Sequence, residues 1–163
     1  MSSTSTTDLV PKIGQEAPGF NLPDVEMKGR SLEEFKGKKL VLAFFPAAES
    51  PVCTTEMCAL RDSLSVLKSH GAEVVGISVD GPFANKIFTE NRHLNFPILS
   101  DYKREVINKY GIVMANLGPL EGYNAAKRSV FVLDENGIIR YRWISDNPLV
   151  EPNYSEIKSA LEK

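Results

Sequence analysis

Cys53 and Cys58, the only cysteines of the 163-residue chain, stand five positions apart and are its best candidates for covalent chemistry. A cysteine reacts as its thiolate, so its chemistry depends on whether the surroundings favour negative charge. Ser50-Pro51 reads as an N-cap followed by proline at the first helical position, where a missing N–H costs nothing. Cys53 then falls in the first turn. Backbone N–H groups there lack intrahelical partners and the positive end of the helix dipole lies close, so a thiolate is favoured. The plain alternative is a small buried hydrophobe, the usual fate of a free cysteine. Placement alone leaves both readings open.

Cys58 lies further along the same helix. Five residues turn a helix by about 500° and rise about 7.5 Å, which sets the two Cα atoms about 8 to 9 Å apart on different faces. A disulfide needs a Cα separation of about 4.4 to 6.8 Å, so the pair can close only if the first turns unwind. On spacing alone Cys58 is equally a core residue beside Met57 and Leu60. A metal centre is not indicated, because there are only two thiols and His70 and His93 stand at no ligand spacing. His70 reads as a favourable charge at a helix C-terminus, and His93 as a surface or hydrogen-bonded core residue.

The elements that must hold these residues follow from periodicity. The apolar run 40–45, stopped by Pro46, reads as a strand buried on both faces. Met57, Leu60, Leu64 and Leu67 give the following helix one apolar face, and Gly71 ends it near His70. Next come a strand over 73–79, a break at Gly81-Pro82, a helix to about Arg92, a short strand over 96–99 and a helix over 101–110 closed by Gly111. Strands 129–133 and 138–144 flank Asn136-Gly137, an antiparallel hairpin signal. Asn153 and Glu156 form a cap pair for a closing helix. This order, βαβ then ββα, predicts an α/β thioredoxin-like fold: a central mixed sheet flanked by helices. Residues 1–11 read as a flexible tail and 12–163 as a single domain.

Composition narrows the function. The net charge is −2 and no basic block occurs, so nucleic acid is not an expected partner. No stretch approaches 18 apolar residues and 1–8 lacks a secretory pattern, so the expectation is a cytoplasmic protein with no membrane association. In such a reducing compartment cysteines are more often catalytic than structural.

The segment from Phe44 to Cys58 resembles the peroxiredoxins. It carries their P-x3-[T/S]-x2-C motif, with Pro46, Ser50 and Cys53 at the motif positions, between a buried strand and a helix. The C-x4-C spacing is similar to the peroxiredoxin Q, or bacterioferritin comigratory protein, subgroup, and the resemblance runs from about Ile13 to the last helix. It implies a thiol-dependent peroxidase acting on hydrogen peroxide and alkyl hydroperoxides, needing no prosthetic group. Cys53 is then the peroxidatic nucleophile and Cys58 the resolving cysteine, with a thioredoxin-like dithiol protein as reductant. Ser50 supplies a hydroxyl to the peroxide and the thiolate, Pro46 shields the pocket, and Arg128 resembles the family's distant active-site arginine, with Glu56 holding it. Each has an ordinary reading too: helix cap, strand end, and solvated surface charge beside Lys127. The resemblance leaves monomer or homodimer open.

One residue departs from the pattern. The position before the motif hydroxyl is commonly aromatic in the family, and here it is Glu49. A carboxylate pointing inward would oppose thiolate formation, so Glu49 is expected to face solvent. Three other functions compete: a one-cysteine peroxidase resolved by an external thiol, a thiol–disulfide oxidoreductase, and a non-enzymatic redox-sensing partner module. The oxidoreductase is disfavoured because that chemistry wants C-x-x-C.

Overall fold

The structure, a computed structural model, describes residues 9–162. In chain order the strands and helices are β1 (Asn21–Pro23), β2 (Gly29–Ser31), β3 (Lys39–Phe44), α1 (Pro51–Ser69), β4 (Ala72–Ser78), α2 (Pro82–Arg92), β5 (Ile98–Ser100), α3 (Glu105–Lys109), β6 (Val113–Met114), β7 (Ala125–Ala126), β8 (Ser129–Leu133), β9 (Ile139–Ile144) and α4 (Tyr154–Leu161). The central sheet has the order β5-β4-β3-β8-β9. β3 runs parallel to β4, and β4 to β5, whereas β8 is antiparallel to both β3 and β9. This is the mixed thioredoxin-like arrangement that the element order predicts. Among the described residues, no helix is long and apolar enough to cross a membrane.

Successive residues of β3 feed two different cores. Leu40, Leu42 and Phe44 join Val75, Ile77, Phe131, Leu133, Ile107 and Tyr110 on one face. Val41, Ala43 and, just past the end of the strand, Phe45 join Met57, Phe88, Val130, Val132, Ile157 and Leu161 on the other. A strand covered on both faces must be apolar at every position, which is why 40–45 shows no alternation. α1 lays Met57, Leu60, Leu64 and Leu67 on the second face, and each such side chain contributes roughly 1.5 to 3 kcal/mol relative to exposure. Gly76 in β4 permits this close approach. A Cβ there would lie 2.7 Å from Ile98 Cδ1 and 3.4 Å from both the Met57 sulfur and the Phe45 ring.

Several local expectations are corrected. Residues 1–8 of the expected tail lie outside the described residues, but 9–11 are not a free tail. Val10 is buried, and Arg142 Nη1 donates to the carbonyls of Val10 and Pro11 at 3.2 and 3.1 Å. Leu9 backbone passes so close to Gly111 (φ +66°) that a Cβ there would meet it at 2.8 Å. α3 is shorter than 101–110, because Arg104 adopts left-handed backbone (φ +63°) and delays the helix. Asp101 nevertheless serves its start, accepting from the N–H groups of Val106 and Ile107 at 3.2 and 2.8 Å. Asn153 caps α4 by accepting from Glu156 N at 3.2 Å, but Glu156 does not complete the pair. Its carboxylate accepts from the Tyr141 hydroxyl instead.

Candidate active site

The site forms where β3 gives way to α1 and β8 begins. Pro46, buried, ends β3, and the chain turns through Ala47, Ala48 and Glu49 to Ser50. Ser50 holds the N-cap position and Pro51 the first helical one, as expected. The Ser50 side chain, however, does not cap. Its hydroxyl donates to the Ala47 carbonyl at 2.8 Å, bracing the turn and leaving its oxygen lone pairs unused by that bond. The main chain closes the first helical bond instead, from Thr54 N to Ser50 O at 2.9 Å.

Cys53 therefore lies in the first turn of α1, and it is fully buried. It belongs to the second-face core with Phe45 and Met57. One contact sets it apart from an ordinary core cysteine. Arg128 Nη2 donates to Cys53 Sγ at 3.1 Å. Arg128 opens β8 from the residue before Ser129, and its side chain is only 1% exposed, so the surface-charge reading of this arginine is excluded. β8 pairs antiparallel with β3, with Ser129 opposite Phe44, which brings the start of one strand beside the end of the other.

Every guanidinium nitrogen of Arg128 is occupied. Nη1 donates to Glu56 Oε1 at 2.7 Å, and Nε and Nη2 donate to the Pro148 carbonyl at 3.1 and 2.7 Å. Glu56 stands three residues after Cys53, so both acidic groups project from one side of α1 toward the same cation. Burial opposes the charge of Arg128, but the Cys53 and Glu56 charges outweigh it and hold the guanidinium protonated. Burial pushes the Glu56 carboxyl up to about 7, against the pull of Arg128. Glu56 Oε2 is buried without a hydrogen-bond partner. One cation thus faces two acids. A fixed donor beside a buried sulfur stabilises developing negative charge more than the same donor in water.

An apolar groove of about 290 Å³ opens at this point, lined by Pro46, Ser50, Leu117, Leu120, Arg128 and Leu149 among others. A larger cavity of about 490 Å³ at Lys39, Asp134 and Arg140 includes none of the residues around either cysteine.

Cys58 is a free thiol like Cys53, partly exposed, on the intact helix. The sequence geometry therefore holds: no disulfide joins the pair and α1 continues unbroken through both. Glu49 faces outward, as expected. It takes left-handed backbone (φ +66°), and its carboxylate accepts from Arg92 Nη2 at 2.8 Å. His70 caps the end of α1 near Glu162, at 3.8 Å, and His93 is an exposed left-handed cap on α2.

Sequence reasoning missed two partners. The Pro148 carbonyl is a backbone group with no side-chain signature, and nothing in the sequence marks it. Arg92 could have been suspected from Glu49, since an acid in place of an aromatic asks for a cation nearby.

Comparison with known proteins agrees with this geometry. Residues 13–142 match the AhpC/TSA family. The chloroplastic peroxiredoxin Q of Populus jackii is 42% identical over 141 residues, covering 85% of this chain and 64% of that protein. A Coxiella burnetii protein carrying the name peroxiredoxin bcp is 38% identical over 132 residues, 81% of this chain and 87% of its own length. The chain thus spans less than two thirds of the plant relative and most of the bacterial one. Among solved structures, the peroxidoxin BcpB of Mycobacterium tuberculosis superposes with a TM-score of 0.81 at 30% identity, covering 93% of this chain and 96% of that one. Fold, motif residues and relatives converge: the chain belongs to the AhpC/TSA family, with relatives named as peroxiredoxins of the Q and Bcp kinds.

Proposed function

We propose that this protein is a thiol-dependent peroxidase for hydrogen peroxide and organic hydroperoxides, with Cys53 as nucleophile. The observation that carries the reading is the donation from Arg128 Nη2 to Cys53 Sγ in the first turn of α1, beside an open groove. The Cys53 thiolate attacks one peroxide oxygen, the O–O bond breaks, and that oxygen stays on sulfur as a sulfenic acid. The second oxygen leaves as hydroxide or alkoxide and takes a proton to become water or an alcohol. Arg128, at the groove, faces the charge as it passes from sulfur to the leaving oxygen. Ser50 can accept a hydrogen bond from the peroxide, and Pro46 covers the sulfur against bulk water.

Cys58 then resolves the sulfenic acid. Its sulfur bonds to Cys53, the S–O bond breaks, and the hydroxyl leaves as water with the Cys58 proton. A thioredoxin-like dithiol protein returns the disulfide to two thiols, in a reducing compartment such as the cytoplasm. The Q and Bcp names of the relatives and the C-x4-C spacing support this part of the reading.

The test is peroxide consumption with dithiothreitol or thioredoxin as electron donor. Cys53→Ser is expected to abolish it, and undiminished turnover by that variant overturns the proposal. Mass spectrometry after one equivalent of peroxide tests Cys58: loss of two hydrogens within one chain supports resolution by Cys58. An adduct with the external thiol, and no internal disulfide, assigns resolution to that thiol instead.

A further inference from the structure

Both ends of the segment that contains the two cysteines are fastened to one residue. At the near end, Glu49 pairs with the Arg92 guanidinium at 2.8 Å. At the far end, Arg61 Nη1 donates to the Arg92 main-chain carbonyl. Arg92 is the last residue of α2, where the chain turns left-handed at His93. Each end has a second tie to the body of the protein. Ala48 N donates to Asp80 Oδ2 at 2.7 Å, and Asn95 Nδ2 donates to the Arg61 carbonyl at 3.4 Å. Cys58 lies between these posts, one helical turn before Arg61, and the Arg61 and Arg92 guanidiniums both lie within the field of its sulfur.

The two cysteines cannot bond while α1 is intact, so resolution requires the stretch between the posts to unwind. The tie at its near end, Glu49 to Arg92, is a half-exposed ion pair between side chains, and Glu49 holds a strained left-handed backbone while making it. Removing the pair loosens the turn that carries Ser50 and the start of α1. The far tie rests on a backbone carbonyl and survives any change of the Arg92 side chain.

We propose that Arg92 is a positioning residue for the resolving step: its pair with Glu49 latches the Cys53 turn in the helical, peroxide-reactive form, and its carbonyl anchors the helix beyond Cys58. The inference rests on the peroxidase reading. In it, release of the latch commits a sulfenic acid to the disulfide, whereas a closed latch leaves it exposed to a second hydroperoxide, which oxidises it to sulfinic acid with loss of water or alcohol.

The experiment treats wild type, Glu49→Gln, Arg92→Gln and the exchanged pair Glu49→Arg/Arg92→Glu with hydrogen peroxide and follows the chain by rapid-quench mass spectrometry. Each single variant is expected to form disulfide about two- to fivefold faster after the first oxidation, the range that an exposed pair commands. Each should also yield proportionally less sulfinic acid at high peroxide. The exchanged pair should return toward wild type, which a merely structural loss would not do. Equal partition between disulfide and sulfinic acid in all four proteins overturns the latch. So does an exchanged pair that behaves as the sum of its single changes. A Cys58→Ser control separates the two claims: if Cys53 takes up no oxygen there, the peroxidase reading fails, and if it does, only the latch is in question.

Discussion

Cys53 and Cys58 share a helix, a residue type and a redox state, and differ in almost everything around them. Cys53 is fully buried at the helix start, touched by a buried guanidinium whose every nitrogen is engaged. Cys58 is partly exposed, and the arginines near it, Arg61 and Arg92, are surface groups occupied with Asp62, Glu49 and a carbonyl. The difference teaches that reactivity is placed by the neighbours. A cation fixed in a low-dielectric site acts strongly on a sulfur, whereas exposed cations are screened and act mainly by holding the chain.

The sharpest way to break this contrast is to change the two kinds of arginine in parallel. Arg128→Gln should lower the second-order rate of Cys53 oxidation by about 10² to 10³, the usual cost of losing one preorganised donor. Arg61→Gln should leave that first oxidation unchanged and alter only the resolving step. Stopped-flow oxidation of both variants checks the pair, and equal losses would erase the distinction.

Stability supplies the next effect. The folded-state value of the Glu56 carboxyl, about 7, lies above its ordinary 4.5, so the folded protein holds this proton more tightly than the unfolded chain does. The stabilisation is complete below 4.5 and is lost as pH rises through 7, to the extent of about 3 kcal/mol for a shift of this size. Urea unfolding at pH 5 and pH 8 should show that loss in wild type and not in Glu56→Gln. The smallest effect belongs to a residue that serves neither cysteine. Asn153→Ala should cost about 1 kcal/mol through its lost cap and leave both oxidation steps alone, read by thermal unfolding and peroxide assay.

The sequence disclosed the elements that bury long apolar faces and disclosed little that depends on backbone choice. β3, α1, β8 and the β8–β9 hairpin were legible because their periodicity is the imprint of burial. The β1–β2 hairpin and the β6–β7 pair were not, being three and two residues long, too short for any period. Left-handed backbone at Glu49 and Arg104 was invisible, since neither residue type favours it. At the site, Cys53 could be placed in the first turn from Ser50-Pro51 alone. Arg128 could not: it meets Glu56 across 72 positions of sequence, and only the family resemblance singled it out. Ser50 was half legible, its position right and its hydrogen bond wrong, because its hydroxyl donates to the Ala47 carbonyl of the preceding turn and does not cap the helix start.

Cys53 is also a packing residue, lodged with Phe45 and Met57 in the core beneath α1. If Cys58 resolves it as proposed, whatever opens the helix to let this sulfur reach its partner must also disturb that packing, so every catalytic round would pass, once the sulfur is oxidised, through a small melting event. Ruggedness and turnover then pull in opposite directions here. A version of this protein adapted to heat by tighter contacts under the first turn of α1 should outlast the present one and work more slowly at moderate temperature.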